Sequence, residues 1–229
     1  MDITLALMPD TYFPGYYNLA SELAISGLTV EVLLIGSAYS PEVSSSKRTP
    51  SATGIQVRTV HWNDSIGSRY LAHFYAAVYS RSSAVLIIGP GFQPDAATVI
   101  SLLKLFRQGY DVIIVSRHHK MSTLNYPFLR WVFSKYYNRI ASVLLGTKTT
   151  DATSGLKLYS KEMLIQSLGS ATTKELTFQL EILKRARRLG AAITEVPTII
   201  EYQQSPYAVK ASDITRTVFE TLTLWWRNR

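Results

Sequence analysis

Residues 85 to 96 read VLIIGPGFQPDA: an apolar run suited to a buried strand, Val85 to Ile88, meets Gly89-Pro90-Gly91 and then a helix start at Asp95. Ligands of open parallel sheets bind at such strand ends, yet no charged side chain lies between Ala84 and Pro94. Gly36, Gly89 and Gly91 offer only backbone groups, and Gln93 adds one neutral amide. Elsewhere the chemistry is cationic. Arg117, with His118 and His119 beside it, follows a second apolar run, VIIVS. Arg130 and Ser134 stand four residues apart in a helical stretch, so they share a face able to grip one anion. Asp151 opens the string DATSG. Each has a plainer reading beside the functional one. Gly-Pro-Gly suits a tight turn, Arg117 a solvated or ion-paired residue, and Arg130 with Ser134 the polar flank of a packed helix. His118 and His119 read as loop residues, and Asp151 as a turn cap acting through Ser154.

These residues need a scaffold that brings strand ends together. ITLALM, VEVLLIG, IQVRTV, AVLIIG and DVIIVS each read as a buried strand, separated by amphipathic stretches. That alternation predicts βαβ units and a mainly parallel sheet. YYNLASELAIS predicts a helix closed by Gly27, and FLRWVFSKYYNRIASVLLG a long one ending at Gly146. Residues 39 to 54, rich in Ser, Pro and Thr, predict a mobile surface loop. KEMLIQSL and LTFQLEILKRARRLG predict two more helices, the second closed by Gly190, and AAITEVPTIIEY a strand pair broken at Pro197. The last segment predicts a helix capped by Ser212, with Ile214, Val218, Leu222 and Trp225 on one stripe. Trp225, Trp226, Arg227 and Arg229 suit an interfacial anchor, or equally a helix docked on the core or a partner.

The 229 residues suffice for one α/β domain with a full core. Twenty-four Lys and Arg against sixteen Asp and Glu give a net charge of +8. The classes of partner to weigh are therefore nucleic acid, anionic lipid and phosphorylated substrates. No cysteine is present, which excludes disulfides, thiolate metal sites and cysteine nucleophiles. The four histidines make no metal-binding spacing with nearby acids, so no structural zinc is expected. A strand pattern at the N-terminus without a basic leader, and no apolar run of spanning length, predict a cytoplasmic protein lying at most against a membrane.

DATSGLKLYS, 151 to 160, resembles a D-x-x-S-G-[FY]-[KR]-x-[YF] segment, and LTFQLEILKRARRLGAAITEVP, 176 to 197, an F-Q-x-E stretch that ends in I-x-E-V-P. Both are marks of the family 2 glycosyltransferases of GT-A fold, and the chain is most similar to the polyprenyl-phosphate (dolichyl-phosphate) mannosyl- and glucosyltransferases. WNDSIGSRYLA also looks like the family's N-x-G-x-x-x-A region. The resemblance implies a GT-A fold, a Rossmann-like nucleotide-diphospho-sugar transferase domain with a central, mostly parallel mixed sheet flanked by helices. It would span residues 1–211, with an amphipathic C-terminal helix over 212–229.

The first half departs from the family in chemistry. MPDTYFP keeps Pro9 without the family's Asn-Glu pair, and LLIGSAYS places Ile35 and Gly36 where family members carry nucleotide-binding acids. The family's D-A-D-L-Q, whose aspartates approach the divalent cation and the diphosphate, becomes Gly89-Pro90-Gly91-Phe92-Gln93. Mg²⁺ and Mn²⁺ want carboxylate oxygens, so the metal site is expected to be lost and no cofactor is expected. By position, Arg117 and Arg130 with Ser134 match the family's acceptor-phosphate residues, Lys210 stands for the lysine of R-x-x-G-x-S-K, and Asp151 is the surviving family acid. A phosphate acceptor is already an anionic nucleophile and needs no general base.

The resemblance therefore implies a degenerate polyprenyl-phosphate glycosyltransferase-like protein, a partner or regulator of an active homologue or membrane subunit at the membrane surface. The alternative is an active, metal-independent transferase moving a hexose from a nucleotide sugar to a lipid phosphate or other acceptor. In that case Arg117, Arg130 and Lys210 would stabilise charge. Partners are then a polyprenyl phosphate or anionic lipid. Nucleic acid is the lesser option, since KRARR, 184 to 188, comes without a recognised binding module.

Overall fold

The computed structural model describes residues 1–8, 15–36, 55–60, 69–125, 128–169, 176–200 and 211–226. The short apolar runs form strands β1 (Ile3–Leu7), β2 (Val30–Ile35), β3 (Ile55–Val60), β4 (Ala84–Ile88) and β5 (Val112–Val115), followed by β7 (Leu156–Ser160) and β8 (Ile193–Val196). Together they make one seven-stranded sheet of order β3-β2-β1-β4-β7-β5-β8. β7 alone is antiparallel, inserted between β4 and β5. Every residue of β1, β2, β4 and β5 is buried, the pattern of strands covered on both faces.

Helices α1 (Tyr16–Ile25) and α3 (Ala96–Arg107) cover one face, where Leu19, Leu23, Val99 and Leu102 pack on Leu5, Leu34 and Leu86. The other face is covered by α2 (Arg69–Tyr79), α4 (Phe128–Leu145), α5 (Lys161–Leu168), α6 (Leu176–Arg188) and α7 (Ala211–Trp226). Ala76, Ala141, Leu164, Phe178 and Leu224 meet Ala6, Leu33 and Ile87 there. Asp95 caps α3 by accepting from the Thr98 amide at 2.8 Å. The chain turns with positive φ at Gly27, Gly146 and Gly190, as read from the sequence.

Two readings need correction. The pair broken at Pro197 exists, but its second member, β9 (Ile199–Ile200), leaves the main sheet and pairs with β6 (Thr123–Leu124), a short strand outside the runs named from the sequence. Helix α7 begins at Ala211, one residue ahead of the expected cap Ser212, and its packed stripe is Thr217, Thr221 and Leu224, with Trp225 of the expected stripe half-buried against the core and the Ile214 side chain outside the described residues. Val218 and Leu222 are exposed. The threonines can be buried because the Thr221 hydroxyl donates to the Thr217 carbonyl at 2.7 Å and lies 2.8 Å from the Tyr137 hydroxyl of α4. The 39 to 54 loop lies outside the described residues.

Candidate functional site

Six of the seven strands of the main sheet run the same way, so their carboxyl ends share one edge, and the 151–155 segment leading into β7 lies on that edge too. The order of strands reverses between β1 and β4, where sheets of this kind take ligands. β7 divides the edge into two regions.

On the β2-β1-β4 side the described chain presents backbone. Gly36 follows β2 with its amide donating to the Val60 carbonyl at 3.1 Å. Ile35, at one of the family's acid positions, points into the core. After β4 the amide of Phe92 donates to the Gly89 carbonyl at 3.3 Å, with Pro90 and Gly91 between them and Gly91 at φ +80°. Proline second and a left-handed glycine third make a type II turn, so the plainer reading of Gly-Pro-Gly describes the backbone. The Gly89 amide also donates to the Gly155 carbonyl at 2.8 Å. A Cβ on Gly89 would stand 3.0 Å from that carbonyl oxygen, and one on Gly155 would stand 3.2 Å from the Phe92 ring. The tip of β4 is thus closed against the chain entering β7. Gln93 is exposed beyond it.

On the β5-β8 side the polar groups are side chains. Asp151, fully buried, receives the Arg117 fork through Nε at 2.7 Å and an η nitrogen at 2.8 Å, and the Arg117 amide at 2.9 Å. Burial pushes its pKa up, but the charge and hydrogen bonds of Arg117, with His118 adding to them, hold the carboxyl below its ordinary value. Glu195 on β8 fixes the segment from behind, accepting from the Thr150 and Asp151 amides at 2.9 and 3.1 Å. Asn138 of α4, fully buried, accepts from the Thr153 amide at 3.2 Å and donates to the Thr153 hydroxyl at 3.1 Å. His118 Nε2 lies 2.8 Å from the Ser134 hydroxyl.

The structure therefore brings Arg117, Ser134 and Asp151 into one polar cluster: the Asp151 carboxylate takes Arg117, while its carbonyl accepts from the Ser154 amide at 3.2 Å in a turn. Arg130 lies on α4 one turn before Ser134, its side chain outside the described residues. Pro9 and Lys210 are outside them as well. Sequence reasoning missed the His118–Ser134 pair and the clamp of Asn138 on Thr153. The only available signal for the first was a histidine directly after Arg117. In the KRARR cluster, Arg185 pairs with Glu181 at 3.0 Å, and Arg187 Nε donates to the Thr147 carbonyl at 3.0 Å. Among the described residues, no three His, Asp or Glu side chains gather as a metal-binding group, and no helix is long and apolar enough to cross a membrane.

No protein-family model matches the sequence. It is 30% identical over 168 residues to the polyprenol monophosphomannose synthase of Mycolicibacterium smegmatis, across 72% of this chain and 63% of that protein. The chain thus spans less than two thirds of that relative's length. Among solved structures, glucosyl-3-phosphoglycerate synthase of Mycobacterium tuberculosis matches with a TM-score of 0.61 at 16% identity, covering 96% of this chain and 80% of that one. The same enzyme in complex with Mg²⁺ and uridine diphosphate matches with a TM-score of 0.62 at 16% identity, covering 96% and 78%. These structures share the fold of the described chain.

Proposed function

We propose that the chain is a degenerate relative of the family 2 glycosyltransferases with the GT-A fold, keeping a lipid-phosphate site but no metal-bridged sugar-nucleotide site, a reading supported by its similarity to a polyprenol monophosphomannose synthase and by the shared fold. Its role is to pair with, stabilise or regulate an active homologue at a membrane surface. The observation that carries this reading is the closed tip of β4, where a side chain on Gly89 meets the Gly155 carbonyl at 3.0 Å. Hard divalent cations need carboxylates at such a tip, and the described residues there do not fit one. A structural neighbour is known with Mg²⁺ and uridine diphosphate, whereas the tip of β4 here offers no carboxylate for such a cation.

The phosphate side draws support from the relative's name, a polyprenol monophosphomannose synthase, and from cationic Arg117 and Lys135 around Ser134. Two exposed apolar stripes suit a surface contact: Phe133, Tyr136, Ile140 and Val143 on α4, and Val218, Phe219, Leu222 and Trp226 on α7. Lys135 sits over the Trp131 ring at 4.5 Å, and with Arg139 it adds cations to α4.

A second reading, an active metal-independent transferase, is favoured by the intact Asp151–Arg117–Glu195 framework. Calorimetric titration separates the two. Farnesyl phosphate is expected to bind, while GDP-mannose and UDP-glucose give no heat with or without Mn²⁺. Sugar transfer to the lipid phosphate in the absence of metal supports the second reading, and absence of lipid-phosphate binding rejects both.

A further inference from the structure

We propose that His118 takes up one proton when a phosphomonoester seats beside Ser134, and that as imidazolium it holds the Ser134 hydroxyl turned toward the anion. The inference rests on reading this part of the edge as a phosphate site.

The ring is fixed between the tip of β5 and α4. Its backbone amide donates to the Ser116 hydroxyl at 3.2 Å, and its Nε2 lies 2.8 Å from Ser134 Oγ. Its other nitrogen, Nδ1, is buried with no hydrogen-bond partner among the described residues. An unpartnered buried nitrogen costs less as the lone pair of a neutral ring than as the N–H of an imidazolium, so it too favours the neutral ring.

The groups facing the ring set its balance. Burial holds its pKa below the ordinary histidine value, Asp151 from the segment before β7 opposes that, and Arg117 and Lys135 reinforce it. Glu195 is engaged with the Thr150 and Asp151 amides behind them. The ring therefore favours neutrality while the site holds no anion. A phosphate dianion offsets Arg117 and Lys135 and shifts the balance toward the cation. The proton accounting is simple. One proton enters from solvent, Nε2–H donates to Ser134 Oγ, and the Ser134 O–H donates to a phosphate oxygen. No covalent bond changes apart from that protonation.

The test titrates farnesyl phosphate into the whole chain by calorimetry, in buffers of different ionisation enthalpy, for the wild type, His118→Gln and Ser134→Ala. Both variants are expected to take up fewer protons than the wild type. From the free His118 pKa, below the ordinary histidine value, up to its ligand-bound pKa, the wild-type affinity should fall by up to about tenfold more per pH unit than that of His118→Gln. Equal proton uptake in wild type and His118→Gln overturns the inference and leaves the phosphate site standing. No binding by the wild type ends the phosphate reading itself, and this inference with it. An NMR titration of His118 in the unaltered protein, with and without farnesyl phosphate, reads the same quantity without a substitution. Its pKa is expected to rise with the ligand, and an unmoved value overturns the inference.

Discussion

At the tips of β2 and β4 the chain turns on Gly36, Gly89 and Gly91, whereas across β7 the tip of β5 carries Ser116, Arg117 and His118, each held by a side-chain hydrogen bond. Among the described residues, one edge of one sheet thus presents backbone on one side and buried charge on the other. The difference is more than a missing pair of acids. Where the first of the family's two aspartates would stand, the Gly89 and Gly155 backbones touch, and the Phe92 ring lies against Gly155. At Gly89 an added Cβ would press on the Gly155 carbonyl oxygen at 3.0 Å, whereas at Gly91 the space is open and the φ of +80° is what disfavours a side chain. On the other side Asp151 has no exposed surface and depends on Arg117, so that half is held by a charge pair that fails if either member goes.

The largest effect is expected from breaking that pair. Asp151→Asn leaves Arg117 with a neutral partner and should cost about 3 kcal/mol of stability, read by urea unfolding. The pH dependence has a definite sign. A carboxyl whose folded pKa lies below its unfolded value stabilises fully above about pH 4 and loses that contribution as pH falls toward the folded pKa. The wild type should therefore lose stability below about pH 4 more steeply than Asp151→Asn; parallel curves would contradict the pairing.

On the glycine side, Gly89→Asp sharpens the contrast. The added side chain meets the Gly155 carbonyl, so unfolding should show a loss of about 2 kcal/mol, and calorimetry should show no Mn²⁺ binding. A stable Gly89→Asp protein that binds Mn²⁺ would mean that only the acid was lost. Glu195→Gln weakens the hold on the Thr150 and Asp151 amides and should cost about 1 kcal/mol by the same unfolding measurement. Smallest in stability is the outer stripe of α7. Val218→Asp with Leu222→Asp should change unfolding by less than about 0.5 kcal/mol while reducing sedimentation with anionic phospholipid vesicles. Unchanged sedimentation would remove the membrane contact from the account.

Strands β1, β2, β4 and β5 were legible because apolar residues dominate each of them, and the helix stops because glycine marks them. The glycine turn after β4 was legible in type from Gly-Pro-Gly alone. Its closure was not, since the Gly89–Gly155 contact depends on β7 running antiparallel beside β4. Arg117 and Asp151 were each singled out, but their pairing spans 34 residues and follows from β5 lying next to β7. His118 looked like a loop residue because nothing local names Ser134, 16 residues on, as its partner. The stripe on α7 was misjudged because that helix is apolar on two sides, and the packed side includes threonines whose hydroxyls find partners only in the fold.

The central claim is that the edge at β4 no longer seats a cation-bridged donor. Crystals soaked with Mn²⁺ and GDP-mannose, examined by anomalous scattering, test it most directly. No manganese peak is expected within coordination distance of residues 89 to 91. A manganese ion there, bridging the donor's diphosphate, would contradict the claim.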